Sequence, residues 1–312
     1  KQKINLKNLV TGGAGFIGSH LINKLIKEGE EVICLDNFFT GNIENINFCI
    51  NNANFHLIEH DIINPISIKV DKIWHLACPA SPRAYQSEPI KTSKVCFIGT
   101  YNLLELAREN NAEFLFASTS EIYGDPEIKI QGEEYKGSVN PIGIRSCYDE
   151  GKRIAESLCF DFFRTYNLRI HVARIFNTYG PKMQPNDGRV VSNFISQALT
   201  NNALTIYGDG QQTRSFCYVD DLVEGLSKLM NSNAKGPINL GNPQEFTILE
   251  LANLIKKKVN KSVKFIFKDL PEDDPKQRKP SIKLAKSLLS WEPTIDIDKG
   301  LDNTIEYFRH KL

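Results

Sequence analysis

Apolar residues along the chain fall into short runs, separated by stretches with a helical stride. Residues 8–10 form a short apolar strand that breaks at Thr11-Gly12-Gly13, and 15–28 follow with helical periodicity, Phe16, Ile17, Leu21, Leu25 and Ile26 being apolar. Residues 31–35 (EVICL), 55–58 and 72–76 (KIWHL) read as further strands. Residues 89–110 read as one long helix, 113–117 as the next strand, 147–166 as a helix and 169–174 as a strand. Strands alternating with helices of this length predict an α/β fold, a doubly wound parallel sheet covered on both faces. After about Gly180 the alternation weakens. Helices at 190–199, 248–259 and 282–290 then predict a smaller α/β subdomain, mostly C-terminal, so the division falls at 1–180 and 181–312, with later segments returning to the first part.

Composition narrows the class. Apolar residues make up 41% and charged residues 24%, ordinary for a soluble globular chain. A net charge of +1 speaks against a polyanion-binding surface, and no basic-aromatic stripe suggests nucleic acid. No apolar run reaches the roughly 18 residues of a membrane span. The chain opens at Lys1 rather than Met, which leaves room for an upstream anchor or targeting segment. The seven Cys form no CxxC pair, which predicts free thiols and a reducing, cytoplasmic setting. The six His are scattered, so no zinc site is expected.

The first loop carries the clearest chemistry. In LVTGGAGFIGSH (9–20), Gly13, Gly15 and Gly18 match GxGxxG, and Gly12, Gly15 and Gly18 match GxxGxxG. The loop follows a strand and opens a helix, the context that gives the motif meaning. Glycines let backbone approach a pyrophosphate, and the helix N-terminus offers it free N–H groups. Asp36 ends the second strand, where a carboxylate accepts from ribose hydroxyls and repels a 2′-phosphate, favouring NAD over NADP.

Further on, YDEGK (148–152) puts Tyr148 and Lys152 one helical turn apart. A nearby ammonium, aided by a positive nicotinamide, is expected to lower the phenol's pKa and make a general base. Before it comes FASTSEIYG (116–124), a strand tip crowded with hydroxyls and one carboxylate. Ser118 is expected to satisfy its own strand end, while Thr119, Ser120 and Glu121 are candidates for chemistry.

These features resemble the extended short-chain dehydrogenase/reductase family. GGAGFIGSHL (12–21), LDNFFTGN (35–42), HLACPASP (75–82), ASTSEIYGDP (117–126), NPIGIRSCYDEGKRIAE (140–156), YGDGQQTRSFCYVDDLV (207–223) and DDPKQRKPSI (273–282) look like its branch that decarboxylates UDP-glucuronate. The resemblance runs from about residue 7 to 308. It implies a Rossmann domain for NAD and a substrate subdomain for the UDP-sugar. It also implies the reaction. Tyr148 takes the proton of the 4-hydroxyl as a hydride leaves carbon 4 for NAD. The resulting 4-keto sugar is a β-keto acid and loses carbon dioxide, because its electrons flow into the ketone. Protonation at carbon 5 and return of the hydride give UDP-xylose.

The same resemblance places the cofactor against Gly12, Gly15, Phe16, Ile17, Gly18, Asp36, Asn37, Asp61, Ile62, Leu76, Ala77, Tyr148 and Lys152. It assigns catalysis to Thr119, Ser120, Glu121, Tyr148, Lys152 and Arg278, with Glu121 the candidate for the protonation of carbon 5, directly or through water. Asn177, Arg189, Tyr207, Gln212, Arg214 and Arg278 are the implied contacts to UDP-glucuronate. A homodimer is implied through a four-helix bundle of the helices near 89–110 and 147–166.

Two departures from the family pattern stand out. Related 4,6-dehydratases carry an Asp where this chain has Ser120; a second carboxylate there would repel the substrate's own by several tenths of a kcal/mol or more. In CFIGT (96–100), Cys96 stands where the family usually has Asn. The competing readings are a 4-epimerase, a 4,6-dehydratase, a decarboxylase that releases the 4-keto pentose, a synthase that also makes UDP-apiose, or a non-catalytic sensor of NAD or sugar nucleotides.

Overall fold

Strand β1 (Lys7–Thr11) is almost entirely buried, and it forms because its apolar residues find parallel partners on both sides, β2 (Glu31–Asp36) and β4 (Lys72–His75). The structure is a computed structural model and describes residues 5–185, 187–270 and 277–312; Asn186 and residues 273–276 of the motif 273–282 lie outside the described residues. The remaining strands are β3 (Phe55–Glu59), β5 (Glu113–Thr119), β6 (Ile170–Ile175), β7 (Thr178–Tyr179), β8 (Leu204–Tyr207), β9 (Thr213–Ser215), β10 (Cys217–Tyr218), β11 (Ile238–Leu240), β12 (Glu245–Thr247), β13 (Phe265–Lys268) and β14 (Gln277–Arg278). Seven of them make one parallel sheet in the order β11-β6-β5-β4-β1-β2-β3. The chain winds outward from β1 to β3, then restarts at β4 on the other side. A crevice therefore opens beyond the C-terminal ends of β1 and β4, where open α/β sheets bind ligands.

Helices α1 (Phe16–Lys27), α2 (Pro82–Ser87), α3 (Pro89–Lys94), α4 (Thr100–Asn110), α5 (Ser146–Tyr166), α6 (Val190–Leu199), α7 (Val219–Met230), α8 (Ile248–Val259), α9 (Lys283–Leu289) and α10 (Ile297–Lys311) complete the chain. The single helix expected over 89–110 is interrupted by a π-helical turn at Val95–Gly99. Gly99 closes that turn against the loop after β3, so tightly that a Cβ there would lie 2.5 Å from Ile62 Cδ1.

The later segments return to the sheet, as expected. Strand β11, only three residues long, extends the sheet by pairing with β6, and α7 packs against β5, β6 and β11. Helices α7 and α10, together with β11, were not among the expected elements. Asp221 near the start of α7 fastens the C-terminal segment, accepting from Thr294 N–H at 3.0 Å and Ile295 N–H at 2.8 Å. One buried apolar cluster runs from Val10 and Leu21 through Phe194 and Leu222 to Leu251 and Phe308, so the C-terminal part shares the core of the sheet's first face. Beneath α4 and α5, Leu103, Phe114, Cys159 and Val172 fill the second face. Among the described residues, no helix is long and apolar enough to cross a membrane.

Candidate active site

A cavity of about 840 Å³ opens at the crevice and is walled by the glycine loop on one side and the tips of β5, α5, β9 and β14 on the other. Its size is that of a small-molecule or cofactor site. The loop is built for close approach. Gly12 has a left-handed φ of +69°, and a Cβ there would lie 2.9 Å from Ala77 Cα. A Cβ at Gly18 would lie 2.2 Å from the Gly12 carbonyl oxygen. Gly15 caps the N-terminus of α1, whose first turn carries no acidic side chain. Bare backbone N–H groups at a helix N-terminus facing an open cavity suit the diphosphate of a dinucleotide.

Asp36 closes this wall. It accepts from Ala14 N–H at 3.0 Å and Phe38 N–H at 2.9 Å. Burial pushes its carboxyl above the ordinary range against the pull of these bonds. Asn37 donates to Asp61 at 2.9 Å, and Lys91 lies 3.4 Å from the same carboxylate. Burial raises the Asp61 carboxyl, but Asn37, the Ile63 N–H and Lys91 together hold it below its usual value. Phe16, Ile17, Ile62, Leu76 and Ala77 line the same cavity, so the cofactor residues expected from sequence come together, and they fit a dinucleotide.

At the other end, α5 buries Tyr148 and Lys152 on one face. The Tyr148 ring stacks on Tyr85 with centroids 4.9 Å apart and planes 8° apart. Lys152 Nζ donates to the Ala117 carbonyl at 2.8 Å and lies 5.8 Å from the centre of the Tyr148 ring. The expected lowering of the phenol's pKa is not found in this state. Burial pushes it well above the ordinary value, the Cys78 thiol adds to the push, and Thr119 only partly opposes them.

Glu121 lies in a short 3-10 turn (Ser120–Tyr123) at the end of β5. One of its oxygens receives Arg145 Nη2 at 2.5 Å and Arg278 Nη2 at 3.1 Å. Arg278 is only 1% exposed and also donates to the Gly124 carbonyl at 2.9 Å. β14 pairs with β9 so that Arg278 stands directly opposite Arg214. Burial pushes the Glu121 carboxyl up, but Arg278, Arg145 and Arg214 prevail and hold it below the ordinary range. Glu121 is therefore an unprotonated acceptor here, which favours the route through water over direct proton donation.

The other expected residues divide. Ser120, Asn177, Tyr207, Arg189 and Arg214 line the cavity. Arg189 donates through Nε to Asp187 at 2.6 Å, with its guanidinium 5.4 Å over the Phe16 ring, which ties it to the glycine-loop wall. Gln212 does not line the cavity. Its Nε2 donates to the Tyr207 carbonyl at 2.7 Å, bracing the strand end behind the wall. Ser118 does not satisfy its own strand end; it donates to Glu156 on α5 at 2.5 Å, beside the bidentate Arg174–Glu156 pair. Sequence reasoning missed Arg145 and Tyr85. Arg145 carried a signal, since it precedes Tyr148 by one helical turn. Tyr85, in a short helix after β4, carried none.

Residues 8–241 match the model of the NAD dependent epimerase/dehydratase family. The chain is 55% identical over 311 residues to UDP-glucuronic acid decarboxylase 1 of Xenopus tropicalis, covering 100% of this chain and 74% of that protein. It is 54% identical over 309 residues to UDP-glucuronic acid decarboxylase 3 of Arabidopsis thaliana, covering 99% and 90%. A solved structure of UDP-glucuronic acid 4-epimerase from Bacillus cereus, in complex with UDP-glucuronic acid and NAD, superposes with a TM-score of 0.86 at 29% identity, covering 98% and 100%.

Proposed function

The chain belongs to the NAD dependent epimerase/dehydratase family, and we propose that it converts UDP-glucuronate to UDP-xylose and carbon dioxide with its cofactor regenerated. The observation that carries this reading is one cavity holding both the Tyr148–Lys152 pair and the Glu121 carboxylate ringed by Arg145, Arg214 and Arg278. Relatives at about 54% identity bear the decarboxylase name.

NAD+, when bound on the glycine-loop wall, supplies a hydride acceptor that later becomes the donor. Tyr148 accepts the proton of the 4-hydroxyl, and Thr119, which lines the same cavity, positions that hydroxyl. Lys152 holds positive charge behind the ring and favours the phenolate once substrate is in place. Burial raises the phenol, so the positive charge of Lys152 and of the nicotinamide has to offset desolvation for Tyr148 to act as the base. Arg145, Arg214 and Arg278 bring positive charge to this corner, which suits the substrate carboxylate and the enolate left when carbon dioxide departs. Ser120, unlike an Asp at that position, adds no carboxylate to repel the substrate's own. The proton for carbon 5 comes through water or from Tyr148, with Glu121 orienting the donor, since Glu121 itself is held ionised.

Residues 181–312 supply most of the UDP-sugar side, through Arg189, Tyr207, Arg214 and Arg278, with Gln212 acting from behind Tyr207. The chain pairs with a second copy through α3–α4 and α5, where Ile90, Phe97, Tyr101 and Ile154 are exposed. Seven unpaired cysteines suit a reducing compartment such as the cytoplasm.

Proton NMR and mass spectrometry after incubation with UDP-glucuronate and catalytic NAD+ test the proposal. UDP-xylose and carbon dioxide without net NADH are expected. A product that keeps the carboxylate and inverts carbon 4 would make the chain an epimerase, and a 4-keto pentose with stoichiometric NADH would mean that the cycle stops half-way.

A further inference from the structure

Two cysteines meet beside the catalytic helix, and nothing in the reaction uses them. Cys78 lies in the loop after β4 and lines the cavity; Cys96 lies in the π-helical turn between α3 and α4, and is 3% exposed. Their Sγ atoms are 3.5 Å apart, in contact but not bonded. Behind them sits Gly151, between Tyr148 and Lys152 on α5. A Cβ at Gly151 would lie 2.9 Å from both Cβ and Sγ of Cys96. Cys96 thus rests on the helix that carries both catalytic side chains.

We propose that Cys78 and Cys96 form a reversible oxidation site that switches the enzyme off. The Cys78 thiolate, reached from the cavity, attacks a low-molecular-weight disulfide such as glutathione disulfide and releases one glutathione. The Cys96 sulfur then attacks Cys78, releases the second glutathione and closes the Cys78–Cys96 bond. The two protein thiols lose two electrons and two protons, and the external disulfide becomes two thiols. The attacking group is already prepared: the hydrogen bond from Cys96 outweighs burial and brings the Cys78 thiol down to about 7, while Cys96 itself is pushed up. A thiol near ambient pH is well placed for exchange. The remaining thiol of this corner, Cys147, points elsewhere, its Sγ against the Tyr85 carbonyl at 3.5 Å.

A disulfide needs about 2.05 Å between sulfurs, so closure draws the two thiols together and shifts the π turn relative to Gly151. That displaces α5 between the base and its lysine. Misplacements of about 1 Å near reacting groups can cost on the order of a hundredfold in rate. A dinucleotide in the cavity covers Cys78 and slows the oxidation.

The test treats the purified protein with glutathione disulfide, with and without saturating NAD+, then blocks free thiols and maps peptides by mass spectrometry. Expected are a peptide linking Cys78 to Cys96, a slower appearance of that link with NAD+, and turnover lowered on the order of a hundredfold and restored by dithiothreitol. In Cys96→Ser the expected product is a lasting mixed disulfide at Cys78. The proposal is overturned by a Cys78–Cys147 link, by a wild-type mixed disulfide that never resolves, or by a complete Cys78–Cys96 link that leaves turnover unchanged. Mapping and NAD+ protection are read without sugar nucleotide, so they stand whatever the chain's substrate proves to be.

Discussion

The two walls of the cavity are assembled differently. The glycine-loop wall comes mainly from one β-α-β stretch, Lys7 to Asp36, whose contacts are mostly backbone and whose shape is set by missing side chains. The arginine wall draws Glu121, Arg145, Arg214 and Arg278 from four separate elements, and their charges set its character. Backbone geometry can be written into a short local motif. A charge cluster needs the whole fold, because each member is stable in burial only when the others arrive.

The comparison predicts that damage to one wall should leave the other's function measurable. The largest effect belongs where they meet. Tyr148→Phe removes the base, and kcat should fall by about a hundredfold to ten-thousandfold, while NAD+ affinity, followed by fluorescence titration, stays within a few-fold; undiminished turnover would remove Tyr148 from the chemistry. Next is Gly12→Ala. Its left-handed backbone and the 2.9 Å approach to Ala77 should cost on the order of 1–3 kcal/mol of stability. NAD+ binding should be lost more than affinity for UDP, measured by calorimetry.

On the arginine wall, Arg145→Gln removes one of the charges that depress Glu121. A carboxyl with a depressed folded pKa contributes stability that is present above its unfolded value, about 4.3, and is lost as pH falls through the folded value. The variant should therefore lose stability at neutral pH, the deficit should shrink as pH falls through the folded value, and the acid-unfolding midpoint should move up in pH. An unchanged midpoint would mean that Arg278 and Arg214 suffice. The smallest effect is expected for Gln212→Ala. Losing one exposed hydrogen bond to the Tyr207 carbonyl costs about 0.5–1.5 kcal/mol, so KM for the sugar nucleotide should rise by a few-fold at most with kcat unchanged; a large fall in kcat would restore Gln212 to the site.

How much of this was legible in sequence follows the same division. The apolar runs and glycine spacing located β1, β2, α1 and Asp36 to within a residue or so, because local pattern and local geometry agree there. Residues 190–199 and 248–259 coincide with α6 and α8, each an amphipathic stretch, and α8 also carries the capping box of Thr247 and Glu250. β11 escaped notice because three residues carry no period, and only pairing with β6 makes them a strand. The π turn at Val95–Gly99 was hidden for a similar reason: its sequence is compatible with a regular helix.

The amino-acid order alone determined the alternating architecture, the dinucleotide loop, the Tyr148–Lys152 face and, through resemblance, the reaction to look for. Those features depend on neighbours within a turn or two of the chain, where periodicity and glycine geometry act directly. Tertiary structure alone decided the ionisation of the groups. It placed Arg145 and Arg278 on Glu121, buried Tyr148 against Tyr85 so that its phenol rises rather than falls, sent Gln212 behind Tyr207, and brought Cys78 to Cys96. Desolvation and charge pairing depend on which distant groups share a buried space, and that is settled only when the sheet and its C-terminal returns close around it.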